Sequence, residues 1–578
     1  MRRSWFARLA LIGSLLLLVV AVLACDLAPL PPTGPAPTLP LVPTRTPGPA
    51  PSVELLTVER FDAGVEGWQG GAGEGAKSEV SWDPAGRLRW SVAPAPRQAA
   101  WLIHEWPAPS ASLRTSLADA NGLTLRLTSL DRSGFLNLGL HEADGSVYNL
   151  SLYPDAGSVV TYTVDFAWFG LQRDSEDENG RLDCDQLTVL SLVDIAGFLG
   201  APRPNRVALD EIALWQGTPE PPDLMCAGPG PATPAQAFRV GVDANFMPQG
   251  EMWFLPERRG FWVGEQRVDP LELLAANGAN AFRVRLWVGK EGESKLDYAT
   301  DLARRVQQAG LRPYLVLFLT EDWSDVNKQP APAAWADLPL DERAAAIRQY
   351  ARETAQHFID QGIAIDYYEI GNEIDYGICG VFADETQPHD AASLRASVWP
   401  DEARLIQAAI EGVREADPQA RFLLHIATSW DPGFAVAFFQ AMTDLEVEYD
   451  YVGLSHYPSA FGAVVASRLC ETLDRLRAEV GKPVIIAETA YPAEPTTGGF
   501  FEEWRNPLPG YPLTPEGQAW WLTDFLAGMC ARGDVLGVYY FSPGFYFSGE
   551  LWGPLALFDG AGRARPAVAS FAIERGAQ

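Results

Sequence analysis

The chain has 578 residues, room for about four domains at roughly 150 residues each, and its 47% hydrophobic and 20% charged content excludes a chain disordered throughout. Seventy-four acidic residues against 44 basic ones leave a formal charge of −30. That sign argues against nucleic acid, because phosphate binding needs a cationic face, and makes a neutral partner the simpler expectation.

In chain order, Arg2, Arg3 and Arg8 precede an uncharged apolar run from Leu9 to Ala24. This is the basic and apolar plan of a signal peptide, predicted over residues 1–25, and the run is marginal in length for a membrane span. Its end, Val22-Leu23-Ala24-Cys25, resembles a bacterial lipobox. The resemblance implies lipidation of Cys25, with ordinary secretion or an uncleaved anchor left open. Residues 26–52 are rich in Pro and Thr, a composition that forms a semi-rigid tether. The expectation is an extracellular, surface-held monomer. The other cysteines are Cys184, Cys226, Cys379, Cys470 and Cys530. They match no zinc spacing, and Cys184–Cys226 and Cys470–Cys530 are permissible pairs outside the cytoplasm.

Residues 53–217 consist of short alternating runs broken by Gly, Asp, Asn and Pro, among them GRLRWSV, GLTLRLTSL and VALDEIALW. Period-two patterning at this spacing predicts an antiparallel β-sandwich. The opening ERFDAGVEGWQ and the closing LDEIALW resemble β-sandwich carbohydrate-binding modules of the galactose-binding-like jelly-roll type. Between them, DSEDENGRLDCDQL is dense in carboxylates. Asp174 and Asp177 there, with Asp62 and Asp210 near the ends of the region, are candidate ligands for a structural calcium. A solvated acidic loop is the plainer alternative.

A second Pro-rich linker, residues 218–236, marks a boundary. From 237 to 578 apolar strand-like runs alternate eight times with longer amphipathic stretches, from FRVGVDA with DPLELLAANG to GVYYFSP with RPAVASFAIERG. Continuously apolar strands, each followed by a helix, need a parallel sheet covered on its outer face. Eight of them predict a (β/α)8 barrel, so the fold class is α/β with an all-β module in front.

Reactive groups in such barrels gather at the C-terminal strand ends. There the sequence places Asp243 and Asn245, Arg283 and Arg285, Glu321 and Asp322, Asn372 and Glu373, His425, His456 and Tyr457, Glu488, and Ser542. Glu373 and Glu488 each follow a buried apolar run. Two carboxylates across one cleft are what glycoside hydrolysis requires, one as proton donor and one as nucleophile or stabiliser.

The segments YYEIGNEIDYG and VIIAETAYP, supported by VGVDANF, NAFRVRLWV, DYVGLSHYPS and PEGQAWW, resemble the arabinogalactan endo-β-1,4-galactanases of glycoside hydrolase family 53. The likeness runs from about Phe238 to the C-terminus. It implies Glu373 as acid/base and Glu488 as nucleophile of a retaining double displacement. It also implies Arg285 and Tyr457 as the groups orienting Glu488, and Asn372 as a partner of the sugar 2-hydroxyl. Asp243, His425, His456 and Phe541 complete the substrate-binding set, with Trp287, Trp323 and Trp335 as stacking faces. Catalysis is expected to need no cofactor, and the substrate to be a neutral polysaccharide. The chain departs from the family pattern at Phe318–Trp323, at Gly377–Val381, at His456 and at Phe541-Ser542-Pro543. Two alternatives therefore stay open: action on another neutral β-glycan, or a glycan-binding surface lipoprotein without activity. In either enzymatic case the sandwich is expected to raise the local concentration of polymer. His104, His141, His357 and His389 lie away from the strand ends and read as structural or exposed.

Overall fold

A computed structural model of the chain describes residues 37–40, 42, 45, 48, 50–105, 116–198, 203–228, 238–252, 260–384 and 386–573. Residues 1–25, where a signal peptide ending at Cys25 is expected, lie outside them. Among the described residues, no helix is long and apolar enough to cross a membrane.

Between Ser52 and Thr218 the alternating runs form two six-stranded antiparallel sheets. The long strand Asn205–Thr218 organises one of them, pairing with Ser52–Arg60, Arg87–Ala93 and Gly122–Ser129. Its register slips between Leu209 and Glu211, so Asp210 occupies a bulge. Strand Arg87–Ala93 shows why the pattern works. Leu88, Trp90 and Val92 point inward and are buried, while the arginines and serine between them are partly solvated. Burying each such apolar side chain contributes about 2 kcal/mol.

From Arg239 onward eight parallel strands close into a barrel: Arg239–Asp243, Ala281–Leu286, Arg312–Leu317, Tyr368–Ile370, Phe422–Ile426, Tyr451–His456, Val484–Thr489 and Val535–Phe541. Helices Pro270–Ala276, Leu296–Gln308, Leu340–Asp360, Trp399–Ala416, Pro432–Asp444, Arg468–Glu479 and Pro515–Ala531 cover it. Their starts follow capping rules: Asp269, Asp431 and Thr514 each accept backbone N–H groups ahead of a proline in the first turn. The eighth unit differs from expectation, since Pro566–Phe571 is a 3-10 helix. The barrel interior is filled from below by a tyrosine layer. Tyr314 stacks on Tyr367 at 4.3 Å, and Tyr367 donates to the Tyr539 hydroxyl at 2.8 Å.

The two regions are not loosely strung. Tyr153 of the sandwich donates to Asp431 at 2.6 Å, and Arg468 holds Asp155 through two hydrogen bonds of 2.8 and 3.0 Å. Arg505 donates to the carbonyls of Leu171 and Gln172. Gly462 admits the sandwich closely, because a Cβ there would meet Leu150 at 2.6 Å. The expected cysteine pairs are replaced by another: Cys226 is bonded to Cys470, 244 positions later. The second linker has folded back onto helix Arg468–Glu479, where Asp223 caps the backbone N–H of Cys226 and Arg532 donates to its carbonyl. Parts of the first linker also touch the barrel, with Leu39 donating to Asn277 at 2.8 Å.

Replacing Cys226 and Cys470 together by alanine is expected to remove about 2–4 kcal/mol of stability, seen as a lower melting temperature of the full chain. An unchanged melting temperature would mean that the linker's other contacts suffice to hold it.

Candidate active site

Strand parity determines which side chains enter the barrel. Ala281, Tyr367, Leu423, Tyr451 and Tyr539 belong to the interior layer, so Arg283, Arg285, Glu369, His425 and Ser455, two or four positions on, point inward too. Glu488 does not follow this rule. Ile485 and Ala487 already face inward, and simple alternation would turn Glu488 outward. The pairing of Val484–Thr489 with Tyr451–His456 skips Ala487, passing from Leu454↔Ile486 to Ser455↔Glu488. This bulge re-aims Glu488 into the cleft. Glu373 reaches the cleft by a different device, a left-handed backbone (φ 49°) just beyond strand four. The turn before it depends on Gly371 (φ 76°), where a Cβ would strike Ile374 and Ile378 at 2.4 and 2.7 Å.

Arg283, wholly buried, is the electrostatic centre. It donates to Glu369 at 2.6 and 3.1 Å, to Asp243 at 2.8 Å, to Glu488 at 2.7 Å and to Asn372 at 2.5 Å. Burial raises the Glu369 pKa, but Arg283 and His425 outweigh it and hold that carboxyl down at about 2. Both oxygens of Glu488 accept a hydrogen bond, one from Arg283 and the other from Tyr457 Oη at 2.7 Å. Glu373 sits in the opposite environment. Burial, then the neighbouring Glu488, then Asp325 push its carboxyl well above the usual range, against one lowering hydrogen bond from Ser455 Oγ at 2.6 Å. The two carboxyls thus differ in their partners, Glu488 held by two donors that include a cation and Glu373 by a hydroxyl alone. A hydrogen-bonded chain continues from Glu373 through Ser455 to His425 Nε2 (2.9 Å), and from His425 Nδ1 to Glu369 (2.9 Å).

A cleft of about 930 Å³ opens above this layer. Arg285, Trp323, His456, Tyr457 and Phe541 line it together with both glutamates, as the sequence anticipates. Arg285 is not the partner of Glu488; that position belongs to Arg283. Arg285 is instead fixed by Asp243 at 2.7 Å and by Ser542, and is enclosed by Phe246, Trp323 and Phe541 with ring centroids 4.6–5.0 Å away. Its Nη1 is buried without a hydrogen-bond partner. Asp243, Asn372 and His425 lie beneath the cleft floor, engaged with Arg283, Arg285, Ser324, Ser455 and Glu369. Trp287 packs on Phe318 and Trp335 on Tyr350, both away from the cleft wall. Glu321 and Asp322 are exposed. His456 stacks on Phe525, and burial lowers its pKa to about 3, so it is neutral at physiological pH.

Glu369, Ser455, Trp504 and Trp552, which the sequence reading does not single out, belong to the site or its wall, as does His389, which reads there as structural or exposed. Glu369 was detectable as a charge inside an apolar strand. His389 was not, because it arrives on a loop, stacked on Tyr376 at 3.9 Å. In the sandwich, Asp177 lies with Glu142 and Asp144 in a set whose oxygens fall within 4.8 Å of one another. Asp62, Asp174 and Asp210 belong to no such group among the described residues.

A parallel eight-stranded barrel with two buried glutamates in contrasting surroundings, in an aromatic cleft, has the makings of a glycoside hydrolase. Comparison with known proteins agrees. Residues 257–571 match the model of Glycosyl hydrolase family 53. The chain is 31% identical over 350 residues to an "Uncharacterized protein in bgaB 5'region" of Niallia circulans, covering 57% of this chain and 92% of that one. It is 29% identical over 279 residues to "Arabinogalactan endo-beta-1,4-galactanase A" of Emericella nidulans, covering 47% and 76%. Among solved structures, the GH53 catalytic domain of Ignisphaera aggregans superposes with a TM-score of 0.50 at 24% identity, over 60% of this chain and 98% of that one. The chain belongs to glycosyl hydrolase family 53 and is a glycoside hydrolase.

Truncating Arg283 to alanine leaves three buried carboxylates without their shared cation and is expected to cost about 3–5 kcal/mol, measured by urea denaturation at neutral pH. Ser455→Ala acts on the acid instead. The Ser455 hydrogen bond favours the charged form of Glu373, so its loss raises the Glu373 pKa. With Glu373 as the proton donor, the role the family resemblance implies, the alkaline limb of kcat/KM should move upward by roughly one pH unit. A limb that stays in place, or moves to lower pH, would show that Glu373 does not control it.

Proposed function

We propose that the protein is a retaining endo-glycosidase that hydrolyses β-1,4-galactan or the galactan chains of arabinogalactan. The observation that carries this reading is the contrast between Glu373, whose surroundings favour the neutral acid, and Glu488, whose two oxygens are held by Arg283 and Tyr457. Family membership and the galactanase activity named for the Emericella nidulans relative support the substrate class. In the first step Glu373 gives its proton to the glycosidic oxygen as Glu488 attacks the anomeric carbon. The C–O bond to the leaving sugar breaks, and a glycosyl ester forms on Glu488. Glu373, now a carboxylate, takes a proton from water as that water attacks the same carbon. The ester bond breaks, and both glutamates return to their starting states.

The Arg283 and Tyr457 donors keep Glu488 oriented for attack, and Tyr457 follows the charge as the ester forms and breaks. Arg285, whose buried Nη1 has no hydrogen-bond partner, lines the cleft amid aromatic rings and is suited to a sugar hydroxyl or ring oxygen. Trp323 and Phe541 offer flat faces to the pyranose C–H surfaces. The leader preceding the described residues supports export and lipid anchoring at Cys25, and the sandwich supports binding of a neutral polysaccharide.

Reducing-end release from a panel of β-glycans tests the substrate, and proton NMR of the first-formed anomer tests the mechanism. Galactan should be cut with net retention. Glu373→Ala should lose roughly 10²–10⁴-fold in kcat, and Glu488→Ala should be inactive. Inversion of the anomer would overturn the nucleophile assignment. Cleavage of a different β-glycan alone would overturn the substrate and leave the mechanism standing.

A further inference from the structure

The cleft above Glu373 and Glu488 is not built by the barrel alone. Its wall continues without a break onto the sandwich, where Arg132, Phe135, Tyr153, Phe198 and Arg203 line the same cavity. On the barrel side the continuing wall is formed by Trp430 and Phe461 on the loops after strands five and six, and by His389 after strand four. Phe135 interlocks with these rings, its centroid 5.0 Å from Phe461 and 6.3 Å from Trp430.

We propose that the β-sandwich completes the substrate cleft of the hydrolase. Phe198 and Arg203 of the sandwich, opposite Trp430 of the barrel, would form a distal subsite for the same neutral polysaccharide chain whose bond is cut at Glu373. The inference rests on the glycosidase reading above and extends it from the reacting sugar to those farther along the chain.

Three observations converge on it. The first is continuity: one cavity joins the catalytic carboxyls to the sandwich, so a polymer emerging on that side must pass over sandwich residues. The second is rigidity. Tyr153–Asp431, Arg468–Asp155 and Arg505 on two sandwich carbonyls fix the module against the loops after strands five to seven. The loops it presents are themselves braced. Arg132 is buried, paired with Asp194 at 2.6 Å, and donates to the Arg203 carbonyl at 2.9 Å. A site held this way costs a ligand little ordering entropy. The third is chemistry. Phe198 keeps 57% of its surface exposed at the rim, an expensive position for a phenyl ring that covers nothing. Arg203 lines the same cavity, its head group 3.8 Å from Asp390 of the barrel. A ring face sharing a wall with hydrogen-bonding groups suits a pyranose, which offers C–H groups on one face and hydroxyls around its edge. The wall carries carboxylates and guanidiniums together, Asp131, Asp390 and Asp431 with Arg132 and Arg203, and so presents no single sign of charge for a polyelectrolyte.

The test is made on the full chain with Phe198→Ala and Trp430→Ala, measuring kcat/KM on long β-1,4-galactan and on galactotriose. Each variant should lower the ratio of polymer to trisaccharide activity by roughly 3- to 10-fold, the size expected for losing one stacked ring. A ratio equal to that of the parent in both variants overturns the proposal. So does an equal loss on both substrates, which would be a structural effect. Phe198 is exposed enough that its replacement tests the idea even if the Trp430 variant fails to fold. A parent that cuts another β-glycan and not galactan overturns the substrate reading alone. The same ratio, taken with that polymer and its trisaccharide, then decides the subsite.

Discussion

A guanidinium with no access to water lies in the middle of this barrel, and the rest of the site is arranged around it. Burying a cation without partners would cost an amount comparable to the whole stability of a domain, so Arg283 can exist there only if carboxylates come with it. Asp243, Glu369 and Glu488 supply them from strands one, four and seven. The constraint works in both directions: the cation makes three buried carboxylates tolerable, and they fix its plane. Asn372, His425 and Tyr314 take up the remaining hydrogen-bonding capacity. Glu488 is thus presented to the cleft by a network whose geometry was settled when the barrel closed.

Glu373 is the one carboxyl of this group left out of the arginine's reach, and its chemistry follows from that exclusion. It stands near Glu488 and Asp325, in a buried place, with a serine hydroxyl as its main partner. The same field that keeps Glu488 bound and oriented therefore favours a proton on Glu373. On the proposed mechanism, acid and nucleophile are one electrostatic arrangement viewed from two sides. Placing them takes two local departures from regular strand geometry, a bulge at Ala487 and a left-handed residue at position 373.

Those departures explain what was and was not legible in the sequence. The eight strand–helix units could be counted because continuous apolar runs and amphipathic helices differ in period. Both glutamates could be found because each follows such a run. The division of labour between Arg283 and Arg285 could not be read, since two arginines two positions apart face the same interior and differ only in how far along the strand they sit. Asn372, Asp243 and His425 were singled out for contact with sugar, yet they lie one layer below it, because sequence reveals the strand end and not the depth. Trp335 and Trp287 were credible stacking faces by type, and tertiary packing turned them elsewhere. The linker after the sandwich looked like a spacer because it is rich in proline. Its role as a strap depends on a cysteine pairing between residues 244 positions apart, which no local pattern encodes.

That pairing has a consequence for the molecule's topology. Cys226 precedes the first barrel strand and Cys470 follows the sixth, so the bond closes a covalent ring containing six of the eight strands and Glu373. A protease that nicks any loop between those two cysteines opens the ring without releasing a fragment. Sandwich, barrel, Glu373 and Glu488 would stay joined in one covalent body, free to re-form the cleft once the severed ends settle back into place.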